Sequence, residues 1–224
     1  KALLNRMGFN NGGVDEMIAN IKRARPYLQV PLGINLGKNK DTANSYAVDD
    51  YALLLKKLKD HADYFTINIS SPNTPGLLEL QNAAFINELG EQVMHMRIAQ
   101  PVFIKLSPDI EYDHFNDICN TCGVERKAGT PFSGLILANT VPTDLGGISG
   151  EPLKVQSIQL LKMARAILDQ NIPVISVGGI TSADDVLERL ELGASAVQLY
   201  SSLVYEGPGH VARLVRDVYK STAN

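Results

Sequence analysis

Thr66-Ile-Asn-Ile-Ser-Ser-Pro-Asn-Thr-Pro-Gly76 decides the fold, because its two halves obey different physics. Tyr64, Phe65, Thr66, Ile67 and Ile69 are aromatic or β-branched, so residues 64–69 read as a buried strand with Asn68 as its amide. Pro72 and Pro75 lack the N–H that a strand needs, and Gly76 permits turn angles closed to other residues. The chain therefore leaves a buried strand and enters a stiff turn presenting Ser71, Asn73 and Thr74, with Asn68 just behind. In α/β barrels and open α/β sheets, ligands bind at that end of the strands. A turn held together by its own side-chain-to-backbone hydrogen bonds is the plainer alternative.

Outward from this stretch, strand and helix alternate. Upstream, residues 1–13 read as polar, glycine-rich loop. A helix follows with Val14, Met17, Ile18, Ile21 and Ala24 on its apolar face, ended by Pro26. Residues 30–36 form a strand carrying Asn35 at its end, and the next helix turns Val48, Tyr51, Leu55 and Leu58 inward. Downstream come a helix marked by Phe85, Leu89, Val93 and Met96, then a strand over 101–106 with one charge, Lys105. A helix with Phe115, Ile118, Cys119 and Cys122 at i, i+3, i+4, i+7 comes next, then a charged loop over 123–133. A strand over 134–138 ends on Asn139-Thr140, and a long loop carries Gly146-Gly-Ile-Ser-Gly150. A helix with Ile158, Leu161 and Leu168 leads to a strand over 172–177 that ends on Gly178-Gly179. Thr181 and Asp184 fit a capping box for a helix that Gly193 terminates. The last strand, 194–199, ends on Tyr200-Ser201, and the final helix turns Val211, Leu214, Val215 and Val218 inward.

Six strands, apolar on both faces and alternating with helices, imply α/β architecture with a covered parallel sheet. Eight such units close a (β/α)8 TIM barrel, whose phosphate site commonly follows strands seven and eight. If Gly178-Gly179 and Ser201-Ser202 form that site, six of the eight units lie in this chain. The first two then lie upstream of Lys1. An open six-stranded sheet is the alternative.

The 224 residues are 45% hydrophobic and 20% charged, which suits one domain with a sizeable core. Net charge is −3 with no basic run, which argues against nucleic acid as a partner. No apolar run is long enough to span a bilayer, and no signal-peptide pattern stands at the start. The two cysteines share a helix stripe with apolar residues, so they read as core thiols rather than a redox pair or metal site. Their scarcity fits a reducing compartment.

The strand ends are rich in asparagine and poor in acids and histidine. An asparagine amide offers a donor and an acceptor, which suits a ring of alternating C=O and N–H groups such as a uracil-like pyrimidine. Lys105, a cation in an otherwise apolar strand, calls for an anionic partner, and no carboxylate stands near it in sequence. A delocalised anion such as a reduced flavin would serve. A lysine whose stem is buried while its head reaches water is the alternative.

These segments resemble the dihydroorotate dehydrogenase family along essentially the whole chain. N-R-M-G-F-N, G-I-N-L-G-K-N-K, N-I-S-S-P-N-T-P-G-L, F-I-K-L-S-P-D, L-A-N-T, G-G-I-S-G, V-G-G-I and Q-L-Y-S-S occur in the family's order. The resemblance implies a (β/α)8 barrel over 1–224 that binds FMN and oxidises dihydroorotate to orotate in pyrimidine biosynthesis. Family members of class 1 carry cysteine as catalytic base and those of class 2 carry serine, so Ser71 makes the chain similar to class 2. That class passes electrons to a quinone at a membrane. The location implied is peripheral, on the cytoplasmic side of a bacterial inner membrane or on the mitochondrial inner membrane. A class 1 enzyme using fumarate or NAD, and a non-catalytic phosphate-binding barrel, are the alternatives.

The family's site residues carry over position by position. Ser71 is the implied base for the C5 proton of dihydroorotate, with Thr74 relaying the proton. Asn5, Asn68, Asn73 and Asn139 hold the orotate, with Thr140 and the Gly8-Phe9 backbone beside them. Asn35, Asn68 and Lys105 face the flavin ring, with a backbone contact from Ala138. Ser149-Gly150, Gly178-Gly179 and Tyr200-Ser201 bind the ribityl phosphate. No metal is implied. Ala138 and Met7 depart from the commoner threonine and tyrosine. The family's first two βα units and its N-terminal helical region, which forms the quinone tunnel and membrane contact, are expected upstream.

Overall fold

A computed structural model describes residues 1–123 and 130–223. In chain order it contains β1 (Ala2–Asn5), α1 (Val14–Ala24), β2 (Gly33–Leu36), α2 (Ala47–Leu58), β3 (Tyr64–Asn68), α3 (Ala83–His95), β4 (Val102–Leu106) and α4 (Tyr112–Gly123). There follow β5 (Gly134–Leu137), β6 (Val141–Thr143), β7 (Gly146–Gly150), α5 (Lys154–Ile167), β8 (Val174–Val177), α6 (Ala183–Glu191), β9 (Ala196–Gln198), α7 (Ser201–Glu206) and α8 (His210–Thr222).

The main sheet is parallel, in the order β2-β3-β4-β5-β8-β9. That order never reverses along the chain. A doubly wound open sheet has a switch point where it does; a singly wound barrel has none. The sheet is thus six successive units of a (β/α)8 barrel.

Side-chain parity sorts this sheet into two faces. Ile34, Leu36, Phe65, Ile67, Ile104 and Leu106 are buried in the core with Leu55 and Tyr51 of α2 and Ile86 and Leu89 of α3. The alternate positions, Gly33, Asn35, Tyr64, Thr66, Asn68 and Lys105, line a cavity on the other side. A period of two therefore sends the hydrophobes outward to the helices and the amides and the lysine inward.

Several expectations shift. Residues 2–5 and 146–150 read as loop but form β1 and β7, with β7 paired antiparallel to both β1 and β6 in a second, three-stranded sheet. Glycine hides this strand because its role is close approach. A Cβ at Gly146 would come within 2.4 Å of Asn5 O, and one at Gly150 within 2.5 Å of Lys1 O. The capping box is one residue later than expected, at Ser182 and Asp185, because Ser182 has the extended backbone a cap requires. The strand expected from residue 30 begins at Gly33. Of the final helix's four apolar residues, Val211 and Val215 are exposed, while Leu214 packs inward. On α1 only Ile21 is buried; Met17 is exposed. Most of the charged loop over 123–133 lies outside the described residues. The cysteine stripe stands as read: Phe115, Ile118, Cys119 and Cys122 are all buried.

Candidate functional site

The C-terminal ends of the parallel strands open into a cavity of about 1170 Å³, walled on its far side by β1 and β7. That volume is ample for a nucleotide-sized ligand. Every residue singled out from the sequence lines it except Thr74.

β3 delivers the central group. Asn68 is buried, and its Nδ2 donates to Asn35 Oδ1 at 3.2 Å. Its Oδ1 accepts the Ser70 N–H at 3.1 Å and the Ser70 hydroxyl at 2.7 Å. Ser70 Oγ accepts in turn from Asn139 Nδ2 at 2.9 Å. Three amides from three strand ends are thus linked, Asn35 directly to Asn68 and Asn68 to Asn139 through the Ser70 hydroxyl. Ser70 was missed in the sequence because it neighbours the more suggestive Ser71. The signal that could have found it is parity: Ser70 falls on the same side of the chain as Asn68. Behind this group the buried Tyr51 donates its hydroxyl to Asn68 O at 3.0 Å, anchoring the strand end to α2.

The proline-stiffened turn delivers a second group. Ser71 Oγ accepts the Asn73 N–H at 3.3 Å, its one hydrogen bond among the described residues. Asn73 Nδ2 donates to Asn5 Oδ1 at 3.1 Å and to Asn5 O at 3.2 Å, and Asn5 Nδ2 donates to Gly147 O at 3.3 Å. So the turn after β3 is stitched to β1 and β7. Gly8 and Phe9 both have φ near +60°. At Gly8 a Cβ would meet Asn73 O at 3.1 Å, so the chain passes close over the turn. Thr74 is buried behind the cavity wall, and its Oγ1 has no partner among the described residues.

Lys105 stands beside Asn68 in register and opens into the cavity. No carboxylate pairs with it among the described residues. Burial alone pushes its pKa down to about 8. A half-buried cation without a carboxylate partner suits an anionic ligand in the cavity it faces. Among the described residues no cluster of three His, Cys, Asp or Glu could hold a metal ion.

At the other end, Ser201 Oγ donates to Ser149 Oγ at 2.8 Å, tying the start of α7 to β7. Ser202 Oγ is buried without a partner among the described residues. Gly178 and Gly179 have φ of 123° and 71°. A Cβ at Gly179 would sit 2.7 Å from Lys154 Cα, so the turn presses directly on the start of α5.

The family model described as "Dihydroorotate dehydrogenase" matches residues 1–221. The chain belongs to the dihydroorotate dehydrogenase family. A relative from Nautilia profundicola, "Dihydroorotate dehydrogenase (quinone)", is 41% identical over 224 residues, covering 96% of this chain and 60% of the relative. One of the same name from Shewanella denitrificans is 37% identical, covering 97% of this chain and 68% of the relative. The crystal structure of DHODH in complex with ferulenol from Eimeria tenella aligns with TM-score 0.84 at 32% identity, covering 97% of this chain and 66% of that one. The ligand-free Eimeria tenella enzyme gives TM-score 0.85 at 31% identity. The chain therefore spans between 60% and 68% of the length of these relatives.

Proposed function

We propose that residues 1–224 supply the FMN-binding barrel of an enzyme that oxidises (S)-dihydroorotate to orotate and passes the electrons to a quinone. The carrying observation is Lys105, a half-buried cation with no carboxylate partner among the described residues, on a cavity wall beside the Asn35, Asn68 and Asn139 amides and the Ser71 hydroxyl. That donor set suits FMN: Lys105 and the Asn35 and Asn68 amides for the ring, Ser149, Ser201 and the Gly178-Gly179 turn for the phosphate. FMN, when bound, supplies the two-electron acceptor for the hydride that leaves C6 of the substrate.

The chain's own residues divide the remaining work. Ser71 takes the C5 proton as the ring's C5=C6 double bond forms, and Thr74, with its unspent hydroxyl, receives that proton onward through water. The charge of Lys105 favours the electron-rich state of the site and helps hold the Ser71 proton acceptor in its basic form. Asn5, Asn73 and Asn139 read the pyrimidine edge and carboxylate, with Thr140 and the Gly8-Phe9 loop excluding water. The quinone reading draws on Ser71, the residue type of the serine class, and on the relatives' name. Membrane contact is assigned to parts of the protein outside this chain; no described helix is long and apolar enough to cross a membrane.

The test is made on the full-length protein. It should purify yellow with stoichiometric flavin, bleach on anaerobic addition of dihydroorotate and recolour with a soluble quinone but not with fumarate or NAD. Recolouring with fumarate or NAD would move the chain to class 1. A colourless protein that cannot take up flavin would remove the reading altogether.

A further inference from the structure

Arg189, on α6, is completely buried, and no carboxylate pairs with it among the described residues. Its nearest candidate, Asp185, is spent on Lys154 Nζ and on the Thr181 N–H, the Thr181 hydroxyl and the Ser182 N–H. Glu188 lies 4.0 Å from Lys154 Nζ. Arg189 instead donates to three oxygens: Ser176 Oγ at 3.0 Å, Gly178 O at 3.0 Å and Lys154 O at 3.3 Å. Ser157 adds a hydroxyl whose one proton is shared between Gly178 O at 3.0 Å and Lys154 O at 3.1 Å.

The Gly178 carbonyl is thereby pinned toward the back of the sheet. A trans peptide is planar, with the C=O of one residue and the N–H of the next antiparallel. Holding Gly178 C=O toward Arg189 turns the Gly179 N–H the opposite way, toward the cavity that Gly179 lines. No protein acceptor takes up that N–H among the described residues. A buried guanidinium directly behind a cavity-facing amide polarises it as a donor and adds positive potential at that end.

We propose that Arg189 is a positioning residue for the anion-binding turn: it orients the Gly178-Gly179 peptide so that the Gly179 N–H meets the phosphate of the flavin. This rests on the FMN reading above and adds to it a residue that lies outside the cavity and was not among the sequence candidates.

FMN and riboflavin differ only in the phosphate, so the ratio of their affinities isolates this end of the site. The deflavinated full-length protein is titrated with each, following flavin fluorescence. Wild type should bind FMN far more tightly than riboflavin. Arg189→Met should lower FMN affinity by roughly 10–100-fold while moving riboflavin less than about threefold, the scale of a charge-assisted bond and its orienting effect. Arg189→Lys, one ammonium in place of a fork, should recover only part of the ratio. Ser157→Ala, a milder change that removes the second donor, should lower the ratio by roughly 3–10-fold. If both ligands weaken together in Arg189→Met, the residue is merely structural and the proposal falls. Should Arg189→Met not fold, an unchanged ratio in both Arg189→Lys and Ser157→Ala overturns it equally. A wild type with equal affinities refutes the phosphate reading itself; a discriminating wild type with unaltered variants refutes only the role of Arg189.

Discussion

Asn139 Nδ2 donates to Ser70 Oγ at 2.9 Å, joining the end of β5 to the turn after β3 across 69 residues of sequence. Ser70 passes its own proton to Asn68 Oδ1 at 2.7 Å, so the hydroxyl fixes which atom each amide turns to the cavity. Asn139 is left with its Oδ1 as acceptor, and Asn68 with its second N–H as donor.

Ser70→Ala should therefore cost more in recognition than its size suggests. Two hydrogen bonds are lost, about 1 kcal/mol each, and the Asn139 amide is freed to rotate, while Asn68 keeps the Ser70 N–H and Asn35. We expect stability to fall by about 2 kcal/mol in urea denaturation and orotate affinity to fall by roughly 10-fold in direct titration. Orotate affinity equal to wild type would show that the amides hold their orientation without the hydroxyl.

Ser71→Ala should act on rate rather than on binding. The amides that read the ring remain, so orotate and flavin affinities should stay near wild type. Single-turnover bleaching by dihydroorotate should slow by roughly 10²–10⁴-fold, the scale of a lost general base. Ser71→Cys should retain more rate than the alanine variant as pH rises, because a thiol ionises more readily than a hydroxyl. Bleaching at the wild-type rate in Ser71→Ala would place the base elsewhere.

Lys105 makes the flavin-free protein pH-sensitive in a definite direction. Its folded pKa of about 8 lies below the unfolded value of 10.5, so between these the unfolded state binds more protons. Stability should thus rise with pH through that window, by about 3 kcal/mol, and the charged lysine should weigh fully against folding below pH 8. Lys105→Met should lack this gain and should be more stable than wild type at pH 7 without flavin, while binding flavin more weakly. Flavin affinity of wild type should decline as pH climbs past 8, where the cation is lost. Urea denaturation with and without flavin at pH 7 and pH 10 checks all of these signs.

Cys119 and Cys122 should behave as inert core thiols. Burial pushes the Cys119 thiol up to about 12, and the Cys122 thiol rises as well. Since the thiolate is the reactive species, native protein at pH 8 should label slowly and denatured protein at once. Fast native labelling of either residue would contradict the packing of α4.

How much of this was legible in the sequence depends on the kind of signal. β3 and its turn could be read because proline and β-branched residues act locally, and nearly all of the cavity's polar residues fall at strand ends marked that way. The three-stranded sheet could not, since Gly146–Gly150 has no β-forming composition and owes its strand to pairing with residues far away in sequence. Thr74 shares its turn with Ser71, and only the structure shows that its side chain is buried away from the cavity lining. Arg189 gave no signal either: in a sequence it is one of several charges on an amphipathic helix, and only its burial separates it from the solvated ones. Val211 and Val215 show the converse, since helical spacing marks an apolar stripe without saying whether anything covers it.

The short ladder of β1 against β7 has a metric consequence. Asn5 pairs with Gly147 at one end and Ala2 with Gly150 at the other. Three residues of antiparallel strand span about 10 Å. The amide that grips Asn73 and the serine hydroxyls beside Gly150 are therefore mounted on one stiff rule. A ligand that engages both ends must carry its polar groups about that far apart, and a shorter one can satisfy only one end at a time.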